Sequence, residues 1–239
     1  MPAILRDECG GRLGLQMMTE MEAAIFDFGG VLTTPIRLSF EQFEDALSLP
    51  EGSLLAAFIH RPDDGEPDFA LLEKGQISEG EFYRRMMNKL REHTGVDIEL
   101  PEEPAVIRRR LFGGIRANDQ MLTAAAAIGR YYKTAILTNN VKEWTDWREM
   151  VNAHIFDLVV DSSAEGMRKP DPEIYRLTCA RLAIEPHRAA FVDDIPDNVH
   201  GAAAVGIHAI QFTTTDEVLA QLRALFPRAF TPGEEPVHA

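Results

Sequence analysis

The chain alternates short apolar runs with longer stretches whose apolar positions recur at helical spacing. The first run is Ala23-Ala24-Ile25-Phe26-Asp27-Phe28, and Gly29-Gly30 follows at once. A run of that length bounded by glycines reads as a buried strand ending in a tight turn. The same grammar returns at residues 134–137, 156–160, 189–192 and 207–212. Those runs lead into Thr138-Asn139-Asn140, Asp161-Ser162-Ser163, Asp193-Asp194 and the threonines 213–215. Helical patterns occupy 118–131, 141–152, 172–182, 196–205 and 215–226. Strands alternating with helices predict an α/β fold: a doubly wound, Rossmann-like parallel sheet covered on both faces. Ligands of such sheets bind outside the carboxyl ends of the strands, where the polar residues just named fall.

One stretch breaks the alternation. Between Thr34 and Gly114 no strand pattern is found, and helical patterns appear at 40–48, 51–59, 67–74, 78–93 and 102–112. Ser78-Glu79-Gly80-Glu81 fits a capping box at the start of the fourth. The expected organisation is a Rossmann-like core of residues 22–35 and 113–228, with an all-helical cap of residues 36–112 inserted after the first strand. Residues 1–21 and 229–239 read as flexible tails. The cap segment Arg61-Pro62-Asp63-Asp64-Gly65 reads equally as a plain surface loop and as one reaching over the site.

Composition narrows the function classes. The 239 residues are 45% hydrophobic and 26% charged, with 38 acidic against 24 basic side chains and a net charge of −14. Nucleic-acid binding draws on an excess of Lys and Arg, so the balance argues against such a partner. No apolar run approaches the length of a membrane span. The two cysteines, Cys9 and Cys179, make neither a disulfide framework nor a zinc spacing, and read as free thiols of a reducing, cytoplasmic compartment.

The strand ends carry the candidate chemistry. Asp27 ends the first strand and Thr138 the second. Asp193 and Asp194 end the fourth, and Lys169 lies in the loop Met167-Arg168-Lys169-Pro170-Asp171-Pro172. Converging carboxylates repel one another unless a cation lies among them. Magnesium takes hard oxygen ligands and commonly shares them with a phosphate. A lysine binds phosphate as a point charge and holds a neighbouring carboxylate ionised. Thr138 and the amides after it can donate to phosphate oxygens. A carboxylate nucleophile, a hydroxyl, a lysine and a cation site are the parts of phosphoryl transfer.

Four segments in order, Phe26-Asp27-Phe28-Gly29-Gly30-Val31-Leu32, Ile136-Leu137-Thr138-Asn139, Arg168-Lys169-Pro170 and Phe191-Val192-Asp193-Asp194 with Asp197-Asn198, resemble the motifs of the haloacid dehalogenase superfamily. The resemblance covers about residues 22–226, and the helical insert matches that family's cap. It implies a magnesium-dependent phosphohydrolase acting on a small phosphorylated metabolite through an aspartyl-phosphate, with a homodimer as one expected assembly. Asp27 matches the nucleophile. Thr138 and Lys169 match the phosphate-contacting catalytic residues, and Asn139 and Gly30 are expected beside them. Asp27, the Gly29 carbonyl, Asp194 and, through water, Asp193 match the magnesium set, with Asp197 in the outer shell.

Gly29 departs from the pattern. Most family phosphatases carry an Asp there, which protonates the leaving group and then activates water. Phe-Asp-Phe-Gly-Gly-Val-Leu resembles instead a subset that includes the phosphatase-like domains attached to epoxide hydrolases and to acyl-CoA dehydrogenase-like proteins. With no side chain at 29 to move protons, esters whose leaving oxygen is stable as an anion are expected to react best. Two alternatives stay open: a dehalogenase or other carboxylate-nucleophile hydrolase on the same fold, and a non-catalytic binding or regulatory protein. The pair Asp193-Asp194 argues against a metal-free dehalogenase. Outside the motifs, Arg108-Arg109-Arg110 reads as a solvated helix face, Trp144 and Trp147 as packing residues, and Asn198 as serving the helix it begins.

Overall fold

A computed structural model describes residues 20–61, 65–99, 101 and 103–231. Cys9 and most of both expected tails lie outside these residues, as do the central positions 62–64 of the cap loop.

Five parallel strands form one sheet: β1 (Ala23–Phe26), β2 (Lys133–Thr138), β3 (Leu158–Asp161), β4 (Ala189–Asp193) and β5 (His208–Gln211), in the order β3-β2-β1-β4-β5. The unalternating apolar character of β1 follows from its place: it is central, flanked by β2 and β4, and all four of its residues are buried. Ala24 and Phe26 join Ile136, Ala190 and Val192 on one face, against α6 (Asp119–Ile128) and α11 (Thr215–Leu225). Ala23 and Ile25 join Ala135, Leu137 and Phe191 on the other, against α9 (Pro172–Arg181) and α10 (Pro196–Ala204). The doubly wound α/β expectation is met.

Between β1 and α6 the described residues form five α-helices: α1 (Ile36–Leu47), α2 (Ser53–Phe58), α3 (Asp68–Glu73), α4 (Glu79–Thr94) and α5 (Pro104–Phe112). Their inward faces make a core of their own around Phe40, Leu54, Phe58, Phe82, Met86 and Leu111. Local chemistry sets the ends. Ser78 Oγ accepts from the Glu81 amide at 3.2 Å, the first half of the capping box, while the Glu81 carboxylate turns to Arg85. Short α2 is held at its start by buried Glu44 of α1, which accepts from the amides of Gly52 and Leu54. The chain enters and leaves the insert through one narrow neck. The Thr34 amide donates to the Arg116 carbonyl at 2.8 Å, the Arg116 amide donates to Thr34 Oγ1 at 3.0 Å, and Thr33 bridges Ala117.

The helix expected over 141–152 is not there. A turn follows β2, then only α7 (Trp147–Met150) and a 3-10 turn at Ala153–Ile155. The two tryptophans are packing residues, as expected, but they serve two cores. Trp147 packs in the sheet's core, whereas Val141 and Trp144 pack in the core of the insert. Asn140 Nδ2 donates to the Trp144 carbonyl at 3.1 Å and fixes the turn in place of a helical bond. A further short helix, α8 (Ser162–Glu165), starts under the side chain of Asp161.

Helix α10 approaches the loop before α9 closely enough to require a glycine. A Cβ built at Gly201 would lie 2.8 Å from the Pro170 carbonyl oxygen and 2.9 Å from its Cβ. Gly201→Ala is therefore expected to cost about 1–3 kcal/mol by overpacking. Urea denaturation reads this as a lowered midpoint, and an unchanged midpoint would show that the loop yields freely.

Candidate active site

The end of β1 delivers Asp27 to the centre of the sheet's carboxyl edge. Its amide continues the β1–β4 pairing by donating to the Val192 carbonyl at 2.9 Å. Asp193 ends β4 beside it. Lys169 enters from the loop before α9, fully surrounded by protein, with its ammonium on Asp27 Oδ1 and 2.7 Å from Asp193 Oδ2. Asn139, just past β2, clasps the backbone of Lys169 from both sides: Nδ2 donates to the Lys169 carbonyl at 3.0 Å, and Oδ1 accepts the Lys169 amide at 2.8 Å. Its side-chain amide is thereby committed to positioning the lysine. Three strands and one loop thus converge on a single charge.

Asp193 is the most enclosed of the three acids. Besides Lys169 it accepts from the Ile195 amide at 2.8 Å and from Asn198 Nδ2 at 3.0 and 3.1 Å. Asn198 therefore serves the site and not only its helix, contrary to expectation. Asp197 is exposed and is not one of the three carboxylates that gather here. The first turn of α10 simply directs residue 198 inward and 197 outward.

Oxygens of Asp27, Asp193 and Asp194 lie within 4.8 Å of one another. Burial pushes the Asp27 carboxyl well above its ordinary range; Asp193 and Asp194 push the same way, and Lys169 opposes. Burial, with Asp193 beside it, raises Asp194 to about 6. Burial also works against the charge on Lys169, but Asp27 and Asp193 outweigh it and hold the ammonium above its usual value. Three carboxylates against one ammonium leave a surplus of two negative charges, which a divalent cation matches. The donors are hard oxygens, as magnesium prefers. The backbone is shaped for the cluster too: Gly30 has φ +79, and a Cβ there would stand 2.3 Å from Asp194 Oδ2. The residues fit the expected metal.

Asp27, Asp194 and Lys169 form the floor of a cavity of about 720 Å³ between sheet and insert, with Asp193 buried behind them. Gly29, Gly30, Thr138, Asn139 and Asn198 share the floor; Phe28, Phe58, Phe69, Phe112 and Trp144 make an aromatic wall. Three charged residues of the insert, Glu73, Arg108 and Arg109, also reach it. Arg108 pairs with buried Glu79 at 2.9 Å, which also accepts from Trp144 Nε1 and the Tyr83 hydroxyl at 2.9 Å each. The solvated reading of that arginine is thus corrected: one turn of α5 faces inward. Glu73, at the end of α3, pairs with Arg168. Nothing in the sequence around Glu73 or Glu79 marked them, because only the tertiary packing buries them.

A model of the haloacid dehalogenase-like hydrolase family matches residues 21–206. The chain belongs to that family of hydrolases. It is 33% identical over 218 residues to bifunctional epoxide hydrolase 2 of Sus scrofa, covering 84% of this chain and 38% of the relative. It is 30% identical to acyl-CoA dehydrogenase family member 10 of Mus musculus (90% and 20%) and 28% identical to sesquiterpene phosphatase astK of Aspergillus oryzae (87% and 98%). The chain thus spans less than half the length of the first two relatives. Among solved structures, a HAD-family enzyme of Bacteroides thetaiotaomicron in complex with magnesium and inorganic phosphate superposes with a TM-score of 0.57 at 20% identity, covering 81% of this chain and 94% of the other. An L-2-haloacid dehalogenase superposes at 0.59 and 20% identity, covering 90% and 88%. At that identity the superpositions speak for the fold alone.

Lys169→Met removes the one cation between two buried carboxylates. The expected cost is about 3–5 kcal/mol, the penalty of uncompensated buried charge. Sign and window follow from the direction of the Asp27 shift: burial raises its folded pKa above the unfolded one, and removing Lys169 removes the group that opposes this. Stability is then present at low pH and lost as pH rises through the folded values. Urea midpoints in EDTA at about pH 5 and about pH 8 should place the larger deficit at the higher pH. A deficit confined to the lower pH would contradict the pairing.

Proposed function

We propose that the chain is a magnesium-dependent phosphohydrolase that cleaves a small phosphate monoester through a phosphorylated Asp27. The observation that carries this reading is the Asp27–Lys169–Asp193 contact with Asp194 beside it, of which Asp27, Lys169 and Asp194 line a cavity large enough for a small organic phosphate. A phosphoryl group on that floor would face the Lys169 ammonium, the Thr138 hydroxyl and the backbone at Gly30 and Asn139. Asp27, Asp194, the Gly29 carbonyl and, through water, Asp193 would hold magnesium. When bound there, magnesium would neutralise the two surplus charges and polarise the phosphoryl oxygens.

The remaining steps belong to the chain. Lys169 opposes the burial that raises the Asp27 carboxyl and so favours its ionised form, whose oxygen attacks phosphorus as the ester oxygen leaves. Asn198 and the Ile195 amide hold Asp193, which with Asn139 fixes the lysine. Water then attacks the phosphorus of the acyl phosphate, releasing inorganic phosphate and restoring Asp27. Residues 22–35 and 113–228 supply this machinery, and the insert of residues 36–112 covers it and selects the organic group. The aromatic wall favours an apolar group, in keeping with the similarity to a fungal sesquiterpene phosphatase.

Asp27→Asn is expected to abolish turnover of every phosphate ester while leaving the circular dichroism and urea midpoint of a folded protein. Full activity in this variant would rule the mechanism out, and chloride release from a haloacid without metal would favour the dehalogenase alternative. A separate prediction concerns the cation. Asp194→Ala should weaken magnesium binding by calorimetric titration with little loss of stability, because Asp194 faces the cavity. Asp193→Ala should instead lower stability, because its oxygens serve Lys169, Asn198 and the backbone. The reverse pattern would refute the assignment.

A further inference from the structure

Position 29 supplies no side chain to protonate a leaving group, yet the cavity wall contains a carboxyl group the steps above do not use. Glu73 ends α3 and lines the same cavity as Asp27, Gly29 and Lys169. Its side chain is only 3% exposed. Arg168 Nη2 stands 2.6 Å from Glu73 Oε2, but the contact lacks hydrogen-bond alignment, and Glu73 Oε2 and Arg168 Nε are both buried without a hydrogen-bond partner. A buried polar atom left so is costly in a finished core and natural in a site whose partner is a substrate.

We propose that Glu73 is the catalytic acid and base of this site, delivering a proton from the insert to the leaving oxygen and later taking one from water. The assignment rests on the phosphohydrolase reading. In the first step the Asp27 oxygen bonds to phosphorus, the bond from phosphorus to the ester oxygen breaks, and that oxygen takes the proton of the Glu73 carboxyl. In the second, water bonds to phosphorus and the bond from phosphorus to the Asp27 oxygen breaks. The water's proton goes to the Glu73 carboxylate, which returns Glu73 to its starting form.

Electrostatics suit the task. Burial raises the Glu73 carboxyl to about 7, with Arg168, Lys169 and Lys74 pulling the other way. Across the cavity stand Asp27 and Asp194, with Arg108 and Arg109 on α5. Glu73 also borders a second, more polar cavity of about 930 Å³, which Lys142, Glu143 and Asp171 line as well. A carboxyl near neutrality between these groups can both give and accept a proton at working pH. Water arriving through the polar cavity would meet Glu73 before the apolar wall.

The test is a leaving-group series of aryl to primary alkyl phosphates, read as kcat/KM with magnesium present. Glycine at 29 alone would make the wild type steeply dependent on leaving-group pKa. With Glu73 acting, the wild type should be shallow. Glu73→Gln should lose on the order of 10²–10⁴-fold on alkyl phosphates and little on nitrophenyl phosphate. The variant Glu73→Gln combined with Gly29→Asp should regain part of the alkyl activity. Residue 29 has φ −73, and a Cβ there meets nothing closer than Asp27 Oδ2 at 4.0 Å, so a carboxylate fits. The wild-type pH profile gives a readout that needs no variant to fold: alkyl turnover should fall above neutrality while aryl turnover holds. An equal loss on all esters with unchanged pH profiles would make Glu73 a strut between insert and sheet and overturn the proposal, while Asp27 chemistry would stand. A wild type that cleaves no ester would overturn both readings.

Discussion

The structure is organised around one buried ammonium. Lys169 lies where the ends of β1 and β4 would otherwise bring two carboxylates together in an apolar interior. Without it that meeting would be strongly repulsive, and the central strand pair could not end as it does. The surrounding parts follow from this need. Asn139 holds the lysine's backbone from β2, Pro170 packs under glycine-bearing α10, and Asn198 satisfies the oxygens of Asp193 that the lysine leaves open. The lysine offsets one charge of three, so the same arrangement that holds the fold together leaves a defined electrostatic deficit at the cavity floor.

The second organising relation is between sheet and insert. Two acidic residues of the insert hold groups on both sides of the boundary. Glu79 gathers Tyr83 and Arg108 from its own helices and Trp144 from the turn after β2, while Glu73 reaches Arg168, next to the central lysine. Val141 and Trp144 belong by packing to the insert and by sequence to the sheet. The cavity is therefore bounded by residues whose positions depend on both halves, and its aromatic wall is set by buried ion pairs behind it.

Much of this was legible beforehand. Short apolar runs ending in polar residues located all five strands, and capping and spacing located the helices of the insert. Asp27, Thr138, Lys169, Asp193 and Asp194 were visible because each sits at a strand end or in a loop beside one, where sequence position nearly determines spatial position. The segment 141–152 was misread because its two tryptophans face different cores, which no single periodicity can express. Glu73, Arg108 and Asn198 escaped for a related reason. Each has the neighbourhood of an ordinary solvated helix end, and only packing between distant segments removes it from water. Asp197 lies the other way, since a helix that turns Asn198 inward must turn its neighbour outward.

The neck at Thr33–Thr34 and Arg116–Ala117 bears on how such a chain can fold. Strands β1 and β2 are adjacent in the sheet, yet the whole insert separates them along the chain. Pairing them directly would require closing a long loop, whose entropic cost grows with the logarithm of its length. The insert's helices have an apolar core of their own, and the two bonds between Thr34 and Arg116 bring its ends together. Once that clasp forms, the central strands meet across a short connection instead of a long one. The clasp also means that the sheet registers only where the insertion starts and stops, and not how much chain lies between.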